Sequence, residues 1–378
     1  MSTASGGLLV YSPLYRTFSY GPDHPLRPTR LYLTHILMGA CGLLAGPGLK
    51  LTEPVEAARG DLLRVHSNAY LDALDMANSG ENFPDSLTWG LGFGDNPIFA
   101  GVRDWSYLVC GGTIMALREV MAGRSGVAFH TGGGFHHAHH AKAAGFCYVN
   151  DIAVAISEQV NQGQRILYLD LDAHHGDGVQ EAFYGSDRVI TVSIHESPEH
   201  LFPGTGHVNE MGEGEGYGFS VNVPLEPGSG DSTFIEAFER VFPSVLSSFS
   251  PDCIVMQLGV DNMTRDPLAH LLFSTRSLIH ALGRVRELYS GPIMATGGGG
   301  YEMDTVARAW TLAWGILTGQ KAPDELPEAY LKERARYGAS GIRQMTLRDP
   351  EPGSTPDQTE PLRHLEHTLK FLREKGII

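Results

Sequence analysis

Short apolar runs rich in β-branched residues return along this chain, with helix-period stretches between most of them, and that alternation leaves few folds open. The strand-like runs fall at residues 8–11, 126–130, 165–171, 188–194, 219–223, 253–258 and 292–296. Helical periodicity fills 29–44, 105–121, 151–160, 232–247, 275–289 and 303–317. Alternating strands and helices predict an α/β fold, with a mostly parallel central sheet and helices on both faces. No internal repeat interrupts it, so one domain is the simplest account of 378 residues.

Chemistry gathers where these strands end. The strand over 166–169 runs straight into Asp170, Asp172, His174, His175 and Asp177. The strand at 126–130 leads into Gly132-Gly-Gly-Phe-His136-His137, and that at 188–194 into His195 and the Phe202-Pro-Gly-Thr-Gly turn. The strand at 253–258 leads into Asp261, and that at 292–296 into four glycines and Tyr301. In a parallel sheet these ends share one edge, which is where α/β folds bind ligands. Glycine runs let backbones crowd there. Side chains alternate along an extended backbone, so Asp172 and His174 share a face and can grip one metal ion. Asp261 completes an Asp–His–Asp set, leaving a position open for water or substrate. Two anionic ligands acidify a bound water less than three imidazoles would, so a nearby base becomes useful. His136 and His137 are candidates, with Asp170 and Asp177 as carboxylates that fix tautomers. Tyr301 can donate its hydroxyl to a developing oxyanion. Together these parts suit a hydrolase of amides.

Composition narrows the rest. Lys and Arg number 28 against 43 Asp and Glu, a net charge of −15, with no basic block, which argues against nucleic-acid binding. The four cysteines, Cys41, Cys110, Cys147 and Cys253, have no paired spacing and read as reduced thiols. No signal-peptide core follows the amino terminus, and no run approaches the ~18 apolar residues of a membrane span. The expectation is a cytoplasmic protein. Residues 349–361 are rich in proline and polar residues; beyond them Leu362, Leu365, Leu369 and Leu372 keep helical spacing. This divides the chain into a catalytic domain over 1–348 and, over 349–378, a linker and a helix that docks back on it.

The motifs GGGFHHA, GFCYVND, LYLDLDAHHGDGVQEAF, FPGTG, QLGVD and GGGGY occur in that order, with HPLRPTR and GLGFGDNPIF upstream. Across residues 8–320 the chain resembles the zinc-dependent histone deacetylase family, including its bacterial acetoin-utilization and acetylpolyamine-amidohydrolase members. The resemblance implies an arginase/deacetylase-like fold, with Asp172, His174 and Asp261 as zinc ligands. It implies two dyads, His136 with Asp170 and His137 with Asp177, in which His137 is the main base and later acid and His136 the electrostatic partner. Tyr301 would polarise the scissile carbonyl. Phe146 and Phe202 would wall a tunnel for the acyl-lysine stem, with Gly145 and Leu268 beside them and Arg30 deep behind the metal. Asp95 would clamp the substrate backbone at the rim. Structural K⁺ or Na⁺ is also implied, one ion at the backbone of Asp170, Asp172 and His174 with the Ser193 hydroxyl, a second at carbonyls of Phe183, Ser186, Val189 and Phe219.

The implied activity is removal of acetyl or other short acyl groups from lysine in proteins. Acetylpolyamines are the alternative substrate, and a two-manganese ureohydrolase or an inactive acyl-lysine binder are readings from other classes. The sequence does not separate zinc from ferrous iron, and it carries no sign of oligomeric state. His139 and His140 replace the lysines that often follow HHA, and they read as solvated. His66 and Tyr70 read as packing residues, and His195 as a support to the site.

Overall fold

A computed structural model of the chain describes residues 6–92, 94–337, 344–350 and 357–378. Its strands are β1 (Gly7–Val10), β2 (Leu49–Thr52), β3 (Val127–His130), β4 (Ile166–Asp170), β5 (Val189–Glu196), β6 (Ser220–Leu225), β7 (Cys253–Gln257) and β8 (Ile293–Thr296). They form one sheet in the order β2-β1-β3-β8-β7-β4-β5-β6, and every neighbouring pair is parallel. The helices among the described residues are α1 (Thr29–Ala40), α2 (Arg59–Leu62), α3 (Asn68–Ala77), α4 (Val102–Met121), α5 (Asp151–Val160), α6 (Asp177–Phe183), α7 (Asp231–Phe249), α8 (Thr275–Leu288), α9 (Met303–Thr318), α10 (Glu328–Arg336) and α11 (Thr359–Glu374).

Helices α2 to α6 pack on one another, and α1 packs with α7 to α11; β3 and β5 each touch one helix from either group. The sheet is therefore covered on both faces, which is why β3, β4, β5 and β7 are buried from end to end, and why β3, β4 and β7 are apolar up to their last residue. Each buried Leu, Ile, Val or Phe side chain contributes about 1.5–3 kcal/mol to that packing. Helix α9 carries Trp310 and Trp314 into the core, where their indole N–H groups donate to the carbonyls of Leu258 and Leu43 at 2.7 and 2.8 Å.

The strand order is what builds the site. Strands β3, β8, β7 and β4 are adjacent at the centre of the sheet, although β3 and β8 lie far apart in sequence. The loops leaving their carboxyl ends carry His136 and His137, Tyr301, Asp261, and Asp172 with His174. Four sequence-distant motifs thus meet in one crevice.

The structure adds elements that the periodicity did not announce: β2, and the helices α2, α3, α6 and α10. Strand β2 lies at the sheet edge with Lys50 and Leu51 exposed, so it lacks the apolar signature of the buried strands. At the carboxyl end, α11 buries Leu365, Leu369 and Leu372 and packs on β6 and α7. Gln358 secures its start, accepting from the Gly230 N–H at 2.6 Å and the Thr233 hydroxyl at 2.8 Å. Residues 351–356 of the Pro-rich stretch lie outside the described residues. No helix among the described residues is long and apolar enough to cross a membrane.

Candidate active site

Asp172, His174 and Asp261 are all buried, and their ligand atoms lie within 4.8 Å of one another. Backbone and amide donors aim the carboxylates: Gln257 Nε2 and the Gly299 N–H donate to Asp172 Oδ2 at 2.7 and 2.8 Å, and the Ala173 N–H donates to Asp261 Oδ1 at 2.9 Å. Glycine is required for this closeness, since a Cβ at Gly259 would overlap the Asp172 carboxylate and one at Gly299 the Asp261 carboxylate. Burial, and then the Asp172 charge, push the Asp261 carboxyl up to about 6. Two buried carboxylates facing each other with one imidazole form a site short of positive charge, and the donor set Asp–His–Asp fits a divalent cation. This is the one such group of three or more His, Cys, Asp or Glu among the described residues. Among the described residues, no fourth His, Cys, Asp or Glu joins this group.

Two imidazole–carboxylate pairs stand next to this group. His136 Nδ1 is 2.8 Å from Asp170 Oδ2, and His137 Nδ1 is 2.7 Å from Asp177 Oδ1. Their rings are 4.0 Å apart between centroids, yet their protonation differs. Burial works against a charge on His136, but Asp170 and then Asp172 carry it up to about 9. Burial and then the His136 charge push His137 down to about 4. Burial and the neighbouring charges thus favour the charged form of His136 and the neutral form of His137. The Tyr168 hydroxyl donates to Asp170 at 2.5 Å, and the Gly178 N–H donates to Asp177 at 2.9 Å. The backbone before both histidines is fixed by Asp151, which accepts from the Gly134 and Phe135 N–H groups at 3.1 and 2.8 Å.

Tyr301 lies across the crevice, its ring edge-on to Phe146 at 5.6 Å. Burial, and then Asp261 and Asp172, raise its hydroxyl well above the usual tyrosine range, so it remains a donor. The crevice is lined by His136, His137, Gly145, Phe146, Tyr301 and Arg30, among others. Arg30 donates to the Gly300 carbonyl at 2.7 Å and lies over Trp310, while its Nε has no partner. Phe202 is 45 % exposed and packs edge-on against His137 at 5.0 Å, at the mouth. Leu268 follows Asp266, whose carboxylate accepts from its N–H at 3.0 Å. Asp95 is exposed, and its carbonyl accepts from His24 Nε2 at 3.2 Å. The His24 ring in turn packs on Phe146 at 4.5 Å, which brings Asp95 to the rim.

Gly145 and Phe146 both take left-handed backbone, with φ of 51° and 69°. The Phe146 conformation is held by the Tyr20 hydroxyl, which donates to its carbonyl at 3.1 Å. A Cβ at Gly145 would overlap the His137 ring and stand 2.9 Å from Phe202. Gly145→Ala is therefore expected to lower stability by about 1–3 kcal/mol, read as a drop in Tm of several degrees. An unchanged melt would mean that the loop steps aside freely.

Of the residues expected to hold monovalent ions, Asp170 and Ser193 face each other across β4 and β5. Phe183 and Ser186 share the turn into β5, the Phe183 carbonyl accepting from the Ser186 N–H at 2.9 Å. Phe219 stands just before β6, its carbonyl accepting from the Thr191 N–H at 2.9 Å. The Ser193 hydroxyl also meets His195 Nδ1 at 2.8 Å.

His139 is not simply solvated: it bridges Asp177, at 3.5 Å, and Glu181. His140 contacts the Val65 carbonyl. His66 accepts from the Asn150 N–H at 2.9 Å, the packing role expected of it. Sequence reasoning passed over Gln257, Asp151, His24 and Asp266. Three of them left a trace inside quoted motifs, His24 in HPLRPTR, Asp151 in GFCYVND and Gln257 in QLGVD, without a role attached.

A histone deacetylase domain model matches residues 24–317. The chain is 40 % identical over 313 residues to histone deacetylase 9 of Arabidopsis thaliana, covering 82 % of this chain and 72 % of that protein. It is 38 % identical over 333 residues to the acetoin utilization protein AcuC of Bacillus subtilis, covering 86 % and 85 %. The crystal structure of a histone deacetylase homologue from Aquifex aeolicus superposes with a TM-score of 0.87 at 34 % identity, over 97 % of this chain and all of that one. A domain match over most of the chain, relatives at 38–40 % identity and a shared fold agree: the chain belongs to the histone deacetylase family.

Proposed function

We propose that the chain is a zinc-dependent amidohydrolase that removes acetyl or other short acyl groups from the ε-amino group of lysine in proteins. The observation that carries this is the geometry of two imidazole–carboxylate pairs, His136–Asp170 and His137–Asp177, beside the buried Asp–His–Asp group, with Tyr301 across the crevice. Asp172, His174 and Asp261 would hold the ion, which when bound polarises a carbonyl and acidifies a water.

His137 is the base. Its Nδ1 is committed to Asp177, so Nε2 takes the proton from the attacking water and later returns it to the departing lysine nitrogen. His136, kept charged by Asp170, stabilises the negative charge that develops on the substrate oxygen. Tyr301 donates its hydroxyl to that same oxygen. Phe146 and Phe202 flank the uncharged aliphatic stem, and apolar walls with few polar groups at the end suit such a ligand. Arg30 closes the far end, and Asp95 at the rim holds the substrate backbone. The Asp170–Ser193 site and the Phe183–Ser186–Val189–Phe219 turn would take K⁺ or Na⁺ as structural ions. The catalytic domain spans 1–348, with 349–378 as its docked extension, in a cytoplasmic protein.

The test is turnover by zinc-loaded protein on acyl-lysine peptides and acetylpolyamines, with and without a hydroxamate. Hydroxamate-sensitive peptide cleavage is the expected result. Cleavage of acetylspermidine alone would assign a small-molecule substrate instead, and inactivity on every acyl-lysine peptide would refute the proposal. Asp261→Asn is expected to reduce both bound zinc and rate, measured by elemental analysis alongside turnover. Full zinc content in that variant would remove Asp261 from the ligand set.

A further inference from the structure

Tyr301 sits at the end of a glycine run, where the backbone has little to hold it. Gly300 takes φ of +135°, and a Cβ there would stand 2.7 Å from Val306 and 2.8 Å from Val260. A side chain is excluded at that position, and so is the stiffness a side chain would bring. The Gly300–Tyr301 peptide is instead gripped from both sides. Arg30 Nη1 donates to the Gly300 carbonyl at 2.7 Å, and the Tyr301 N–H donates to Asp266 Oδ2 at 2.7 Å. The other oxygen of Asp266 accepts from the Leu268 N–H at 3.0 Å, and the Asp266 N–H donates to the Met263 carbonyl at 2.8 Å. Asp266 thus stands on the connection that also carries Asp261, and it ties that connection to the glycine loop.

We propose that Asp266 is the positioning residue for Tyr301: it fixes the Gly300–Tyr301 peptide, opposite Arg30, and so holds the phenol where the substrate oxygen arrives. This rests on Tyr301 being the oxyanion donor. The requirement is for a carboxylate, because both of its oxygens receive backbone N–H groups. An asparagine offers one acceptor, and its NH₂ would face either Tyr301 N–H or Leu268 N–H, donor against donor. Loss of the anchor frees a peptide with a glycine on one side to rotate, and a displacement of about 1 Å at a reacting group can cost on the order of 10²-fold in rate.

The test is a double-mutant cycle on zinc-loaded protein with an acyl-lysine peptide. Asp266→Ala is expected to lower kcat roughly 10- to 100-fold with KM and zinc content little changed. In a Tyr301→Phe background the same change should cost less than about twofold, because the hydroxyl it positions is already gone. Equal losses in both backgrounds would overturn the proposal. If Asp266→Ala fails to fold, Asp266→Asn carries the cycle, since it keeps the volume and loses one acceptor. A crystal structure of the folding variant gives a readout independent of turnover. The Tyr301 ring should leave its edge-on contact with Phe146, and an unmoved ring would overturn the proposal. Wild-type protein inactive on every peptide would refute the deacylase reading, while the ring position would still decide the role of Asp266.

Discussion

Tyr301→Phe is expected to lower kcat by roughly 10²–10³-fold, about 3–4 kcal/mol of barrier, and to leave the bound metal unchanged. The phenylalanine keeps the edge-on contact with Phe146 and the backbone bond to Asp266, so the only group removed is the hydroxyl. That hydroxyl is protonated at any working pH, because burial and the Asp261 and Asp172 carboxylates raise it well above the usual range. A donor aimed at charge that appears only in the transition state affects kcat rather than KM. Steady-state kinetics on an acetyl-lysine peptide measure the split. Retained activity would strip Tyr301 of its role.

His137→Ala should reduce turnover by on the order of 10²–10⁴-fold, the usual range for loss of a general base. His136→Ala should cost less, since it removes a stabilising charge and not the proton acceptor. The pH profile separates the two. A base acts in its neutral form, and His137, pushed to about 4, is neutral at every pH above that value. The His136 charge is present below about pH 9 and is lost as pH rises through it. A bound divalent cation repels that proton and moves the loss to lower pH. The expected result is an alkaline fall in kcat at or below about pH 9 that disappears in His136→Ala. A larger loss in His136→Ala than in His137→Ala would reverse the assignment of the two dyads.

The architecture was legible because parallel strands buried on both faces are mostly apolar, and β3, β4 and β7 are apolar up to their last residue. Strand β2 was not, because Lys50 and Leu51 face solvent at the sheet edge. Helix α10 hid for a related reason: it buries only Tyr330 and Arg334 and so has no apolar stripe. In the site, the residues that announced themselves carry their chemistry in the side chain and cluster in short motifs. Those that stayed hidden act on backbone. Asp151 holds Gly134 and Phe135, and Asp266 holds Tyr301, across sequence separations that no local pattern reveals. His139 was misjudged because Glu181, its nearer partner, comes within reach only once α6 folds.

The central adjacency of β4 and β7 has a kinetic corollary. Asp172 and His174 leave one of these strands and Asp261 the other, and both strands lie in the interior of the sheet. Fraying of an edge strand or of a terminal helix leaves the three ligands where they are, so amide exchange in β4 and β7 is expected to follow only the larger openings of the sheet. A divalent cation that binds the folded form alone would raise the melting temperature as its concentration passes the dissociation constant.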